Sequence, residues 1–184
     1  MLKRFVQGVS FLLVAPAALL CGFGRIRSLY TVFAHLYALA PGIPGDYLRI
    51  AFYKWTLEEC SLESRISFGA FFAHPEARLD AGVYIGPYCV LGRVNIGPRT
   101  QIATAVQVLS GKHQHARDAE GRISGAEQGT FATVSIGADC WIGAAAIVMA
   151  DVGNNTTIGA GSVVTKSIPA NSTAVGNPAR LLTS

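Results

Sequence analysis

From residue 79 onward the apolar positions of the chain recur every six residues. The phrases "LDAGVY", "IGPYCV", "IGPRTQ", "IATAVQ", "IGADCW", "IGAAAI" and "IGAGSV" each pair an aliphatic residue with a small one. A six-residue period fits neither the 3.6-residue turn of a helix nor the two-residue alternation of a flat strand. It predicts a solenoid of short strands, in which one aliphatic side chain per strand points to the axis and the small neighbour lets the backbone bend. Each coil buries its aliphatic column only against the next, so the unit is stable as an array. The phase slips between Leu91 and Ile96, five apart, and again between Val148 and Ile158, ten apart, which reads as bulges or a shortened coil. The largest interruption, at about residues 109–131, is the polar run "LSGKHQHARDAEGRISGAEQGTF". It reads as a loop thrown out from the solenoid, and long ordered loops tend to carry function.

Residues 1–62 follow a different pattern. "FVQGVSFLLVAPAALLCGF" (5–23) carries no charge and is flanked by Lys3 and Arg4 on one side and by Arg25 and Arg27 on the other. Its nineteen residues just reach across a bilayer core of about 30 Å, but Pro16 is expected to kink or break a helix there. Basic residues on both flanks argue against a simple crossing. A re-entrant or in-plane anchor fits both features, with a buried helical cap and a cleaved signal peptide as the alternatives. "DYLRIAFYKWTLEEC" (46–60) is expected to start a helix at Asp46 as N-cap and to place Tyr47, Phe52, Tyr53 and Trp55 beside Arg49 and Lys54, a mixture suited to a headgroup zone. The division expected is therefore an apolar helical, membrane-associating segment over 1–62 and a solenoid over 63–184.

Composition changes this picture little. The chain has 184 residues, 51% of them hydrophobic and only 14% charged, with a formal net charge of +4. The basic residues form no run with interleaved aromatics, which excludes the footprint of a nucleic-acid binder. Cys21, Cys60, Cys89 and Cys140 show no C-x-x-C and no pairing pattern, as expected of free thiols in a reducing compartment. The catalytic face is therefore placed in the cytoplasm, at the inner (plasma) membrane if the first segment anchors.

The candidate chemistry sits in "SGKHQHARD". His113 and His115 lie two apart in a chain with four histidines, and their spacing alone suits a base, a pair of ligands or ordinary loop positions. Taken with the tail "VSIGADCWIGAAAIVMADVG" and "TIGAGSVVTKSIPANSTAVGNPARLL", this loop resembles the hexapeptide-repeat acetyltransferases, in particular the colanic-acid-type and galactoside/maltose sugar O-acetyltransferases. The resemblance covers about residues 64–184. It implies a left-handed parallel β-helix, mainly β in class, a homotrimer, and acetyl-CoA as acyl donor in a groove between neighbouring solenoids. It implies His113 as general base, with His115 the second choice. It also implies donor contacts from Trp141, Ala144, Ala160 and Gly161 along the pantetheine arm, from Thr165 and Lys166 near the nucleotide phosphates, and from Arg180 as a second cation. The chain departs from the galactoside-type pattern in "DAGVYIG", which lacks an acceptor-binding asparagine, and in a shortened "VMADVGNNTT".

The chemistry implied is transfer to a sugar hydroxyl, on a lipid-linked or polysaccharide precursor. A neutral imidazole assists such a step by roughly 10²- to 10⁴-fold, and the thioester arrives activated, so no enzyme nucleophile or metal is expected. Asp118 or Glu120 is a candidate to orient His113. N-acetylation, a small soluble acceptor and a noncatalytic scaffold are the alternatives. So is a carbonic-anhydrase-like metal site using His74, His113 and His115, although adjacent loop histidines do not match ligands spaced a coil apart. His74, before Pro75, reads as a turn residue, and His35 as structural.

Overall fold

The computed structural model describes residues 2–110, 120–123 and 131–182. Three helices open the chain: α1 (Leu2–Leu20), α2 (Arg27–Ala38) and α3 (Gly42–Thr56). The strands then wind as a parallel solenoid. The first turn holds β1 (Glu59–Cys60), β2 (Arg65–Ile66) and β3 (Phe71–Phe72), and the second β4 (Arg78–Leu79), β5 (Tyr84–Ile85) and β6 (Val90–Leu91). The third turn holds β7 (Val94–Ile96), β8 (Gln101–Ile102) and β9 (Gln107–Val108), and the fourth β10 (Val134–Ile136), β11 (Trp141–Ile142) and β12 (Ile147–Val148). β13 (Thr157–Ile158) and β14 (Val163–Val164) follow, then β15 (Thr173–Val175), which folds back antiparallel onto β16 (Arg180–Leu181).

Stacking the turns makes three walls. The first contains β1, β4, β7 and β10; the second β2, β5, β8, β11, β13 and β15, closed by β16; the third β3, β6, β9, β12 and β14. Axial columns such as Ile66, Ile85, Ile102, Ile142 and Ile158 on the second wall are fully buried. The spacing between buried positions explains the phase slips. First wall to second is always six, as in Leu79 to Ile85 and Ile136 to Ile142, and second to third is also six, as in Ile102 to Val108. Only the third-to-first edge varies: seven from Phe72 to Leu79, five from Leu91 to Ile96, twenty-eight from Val108 to Ile136 and four from Val148 to Val152. Val152 joins the first wall by bridging Ile136 and Ile168, so the gap of ten resolves into a short corner and a regular step.

The glycine beside each aliphatic is needed for close stacking more than for bending. A Cβ on Gly97 would lie 2.6 Å from Ala138 N of the next coil, nearer than real Cβ contacts allow. The bend falls two residues on, where Arg99 (φ 61°) and Asp139 (φ 57°) adopt the left-handed conformation.

The open end of the solenoid is covered by α2 and α3. The Tyr30 hydroxyl donates to Phe72 O (2.9 Å), and the Tyr53 hydroxyl accepts from Phe72 N (3.1 Å). Arg49, with no exposed surface, donates from Nε to Ile66 O (2.8 Å) and from Nη1 to Tyr37 O and Ala40 O (3.0 and 2.7 Å). The first coil has no preceding coil to satisfy its backbone, and these side chains do so instead. Burial lifts both tyrosine hydroxyls above the usual phenol range and so keeps them protonated.

Three helical expectations are corrected. α3 begins at Gly42, not Asp46; the Asp46 carboxylate holds Arg49 and Arg65 (2.5 and 2.7 Å). Arg49, Phe52 and Tyr53 are buried in protein, so α3 does not offer these three to headgroups; Lys54 is exposed, and Tyr47 and Trp55 are partly so. α1 runs through Pro16. Its missing N–H falls beside Leu12, whose side chain lies on the exposed face. α1 buries Val14, Ala17 and Ala18 but leaves Phe5, Leu12, Leu13, Leu19 and Leu20 between 60 and 76% exposed.

Candidate active site

The long loop leaves from β9 and returns to β10, so it sits on the variable edge. Its two ends meet: Ala132 N donates to Ser110 O (3.0 Å). The buried Ser110 also accepts at Oγ from Arg93 N (2.9 Å), tying the loop to the short corner below it. The coil is thus closed across Ser110 and Ala132.

Side chains from three levels of this edge converge at the loop root. The Phe131 ring lies 5.2 Å from the His74 ring and 5.4 Å from the Arg93 guanidinium. Arg27, at the start of α2, forks onto the Glu76 carboxylate, with one contact at 2.7 Å from Nη1 and a second from Nη2. Arg93 is less well served. Its Nη2 stands 3.8 Å from Glu76 and its Nη1 3.5 Å from Phe131 O, while its Nε is buried with no partner. Partial burial, and then the charges of Arg93 and Arg27, hold the His74 imidazole below the usual histidine range, so it is neutral at pH 7. The arrangement can present a neutral imidazole and an under-satisfied cation side by side.

His113, His115 and Asp118 lie outside the described residues. Glu120 accepts from Arg122 (2.9 Å) on the surface. Trp141 stands on the outer face of the second wall, 52% exposed, in register with Gln101 and Thr157. Arg180, also exposed, is on β16 beside that wall. Ala144, Ala160 and Gly161 stack at the second-to-third edge, with Gly161 N donating to Ala144 O (2.8 Å). Thr165 and Lys166 follow β14 at the variable edge. One solenoid therefore brings the three small residues together and leaves Trp141 and Arg180 on the second wall, away from Lys166 at the variable edge.

Sequence reasoning did not single out Arg93 and Phe131. The available signal was the five-residue slip at Leu91–Ile96, which marks the tight corner that carries Arg93. The cysteines are buried, and burial pushes the Cys60 thiol up to about 12 and the Cys89 thiol up to about 11, so neither is a nucleophile at neutral pH.

Comparison with known proteins completes the description. Residues 133–166 match the family described as the hexapeptide repeat of succinyl-transferase. Nodulation protein L of Rhizobium leguminosarum bv. viciae is 47% identical over 109 residues, 56% of this chain and 55% of that protein. Along the matched coils the chain is therefore similar to hexapeptide-repeat acetyltransferases. Its coils superpose on a maltose O-acetyltransferase from Clostridium difficile 630 with a TM-score of 0.67 at 24% identity, covering 87% of this chain and 86% of that one. They also match AntD, an N-acyltransferase from Bacillus cereus crystallised with dTDP and 3-hydroxybutyryl-CoA, with a TM-score of 0.54 at 17% identity over 70% of this chain and 83% of that one. The chain spans about half the length of the curated relatives it matches, 38 to 58% of the first three.

Proposed function

We propose that the protein is an acetyl-CoA-dependent O-acetyltransferase whose acceptor is a sugar hydroxyl, on a lipid-linked or polysaccharide precursor, and that it works as a homotrimer. The observation that carries this reading is the concentration of irregularity on one edge: the loop bearing His113 and His115 and the Lys166 corner all interrupt the same edge of an otherwise uniform solenoid. His113 takes the proton of the acceptor hydroxyl as its oxygen attacks the thioester carbon. The C–S bond then breaks, and the departing CoA sulfur takes that proton back. Trp141, Ala144, Ala160, Gly161, Thr165, Lys166 and Arg180 serve the donor. Their spread over one wall and two edges suits a groove shared between adjacent copies. His113→Ala is expected to lower kcat by about 10²-fold or more, with acetyl-CoA affinity unchanged, because the base acts in the transition state. His115→Ala is expected to cost less. Steady-state release of free CoA thiol checks both, and loss of activity in His115→Ala alone contradicts the assignment.

The same reading places the enzyme on the cytoplasmic face of a membrane. α1 is long and apolar enough to cross a bilayer by length and composition, and only 22% of Lys3–Leu20 is buried in the protein. An apolar groove of about 650 Å³ between α1 and the start of α3, lined by Phe5, Val9, Leu13 and Ile43, continues the exposed face, with Lys3 at its rim. Apolar side chains framed by Lys3, Arg4 and Arg25 suit an in-plane helix on anionic lipid. Full-length protein is expected to sediment with phosphatidylglycerol vesicles. Leu12, Leu13 and Leu19 replaced together by serine are expected to leave it in the supernatant, and recovery of unaltered protein there contradicts the placement.

A further inference from the structure

At the loop root, five side chains from separate parts of the chain form a cluster whose charges do not close. Arg27 engages both oxygens of Glu76. The second arginine, Arg93, is left with contacts of 3.5 and 3.8 Å, at the limit of what counts as a hydrogen bond or ion pair. Its Nε is, among the described residues, the buried side-chain nitrogen without a partner. With His74 neutral, the cluster holds, among the described residues, two cations against one carboxylate. Its geometry is fixed from both sides: Phe131 holds the guanidinium plane, and Ser110 holds the Arg93 backbone. A part-exposed guanidinium whose two terminal nitrogens have only long contacts is matched by a planar or tetrahedral oxyanion that can take two of its N–H groups.

We propose that Arg93, with His74 and Phe131 beside it, is the subsite for an anionic group, a carboxylate or a phosphate, on the acceptor. This rests on the acetyltransferase reading for the word acceptor, but not for the existence of the anion site. It narrows the substrate class to acidic sugars or sugar phosphates. An anion there completes the Arg93 fork, neutralises the excess charge, and anchors the acceptor where the loop starts and ends. Neutral sugars offer the exposed part of the Arg93 guanidinium no charge and leave it under-satisfied.

The binding test needs no turnover. The proton resonance of His74 in the full-length protein, assigned with His74→Asn, is titrated with pH in the absence and presence of inorganic phosphate. Burial and then the Arg93 charge depress the His74 midpoint, so phosphate bound at Arg93 is expected to relieve the second effect and move that midpoint to higher pH. In Arg93→Gln the midpoint is expected to start higher and to ignore phosphate. An unresponsive wild-type His74, or an equal response in Arg93→Gln, overturns the site. The kinetic arm compares methyl glucuronide and glucose 6-phosphate with methyl glucoside, using acetyl-CoA as donor. Arg93→Gln is expected to raise KM for a charged acceptor by about tenfold or more, to leave the neutral one unchanged, and to be partly rescued in Arg93→Lys. An equal rise for all acceptors, or a weakened affinity for CoA itself, overturns the acceptor assignment. Should no acceptor turn over, the acetyltransferase reading fails, while the histidine titration still decides the anion site.

Discussion

Two edges of the solenoid are cut from the same coils, yet only one of them is uniform. At the second-to-third edge every crossing has the same length, and each tip residue lies in the left-handed region: Gly69, Tyr88, Ala105, Ala145 and Gly161 have φ between 58 and 75°. At the third-to-first edge the crossings range from four to twenty-eight residues between buried positions. The physical reason is contact with the next coil. A Cβ on Gly143 would lie 2.5 Å from Ala160 N, so the path of the chain there is dictated by its neighbour. The variable edge is free of that demand wherever a corner projects, and the chain uses this freedom to place Arg93, the loop and Lys166. Regularity thus marks where coils must stack, and irregularity marks where the chain is free to vary.

The comparison is broken most severely by crowding the uniform edge. Gly143→Val puts a branched side chain against backbone that cannot retreat, and is expected to cost about 3 kcal/mol or more, a fall of roughly 10 °C in Tm. Thermal unfolding followed by circular dichroism checks it, and a Tm within a few degrees of wild type refutes the stacking argument. A paired insertion sharpens the comparison with a smaller effect. Gly-Ser added after Ala144, on the uniform edge, is expected to destabilise about as much as the valine. The same dipeptide after Ala150, on the variable edge, is expected to cost under about 1 kcal/mol, as for a lengthened surface loop. Equal losses at both positions erase the distinction.

Much of this organisation was legible beforehand. The paired aliphatic and small residues from Leu79 to Val164 announced the coils, because each must bury one branched side chain and admit a neighbour's backbone. The first turn was legible only in part, since the expected boundary at residue 62 falls inside it, after β1. Cys60, Ile66 and Phe72 bury in the same columns without the aliphatic-glycine phrase, since helices, not another coil, cover that end. The cap itself was obscured because Arg49 and Tyr53 resemble interfacial residues, and only their contacts with Ile66 O and Phe72 N reveal their work. The loop histidines are proposed from type and position, whereas the cluster of Arg27, His74, Glu76, Arg93 and Phe131 spans more than a hundred residues of chain. No local motif joins them; what does is the stacking of three corners of unequal length.

The most direct test of the central claim is to remove the excursion without disturbing the coil. Ser110 and Ala132 are already hydrogen-bonded, so replacing residues 111–130 with two glycines reconnects ends that meet. The measurement is acetyl transfer from acetyl-CoA by this variant beside the full-length protein, each at matched folded concentration. The account predicts a Tm within about 5 °C of the parent and a loss of transfer of about 10³-fold or more. Transfer at the parental rate by the folded, loop-less solenoid contradicts it.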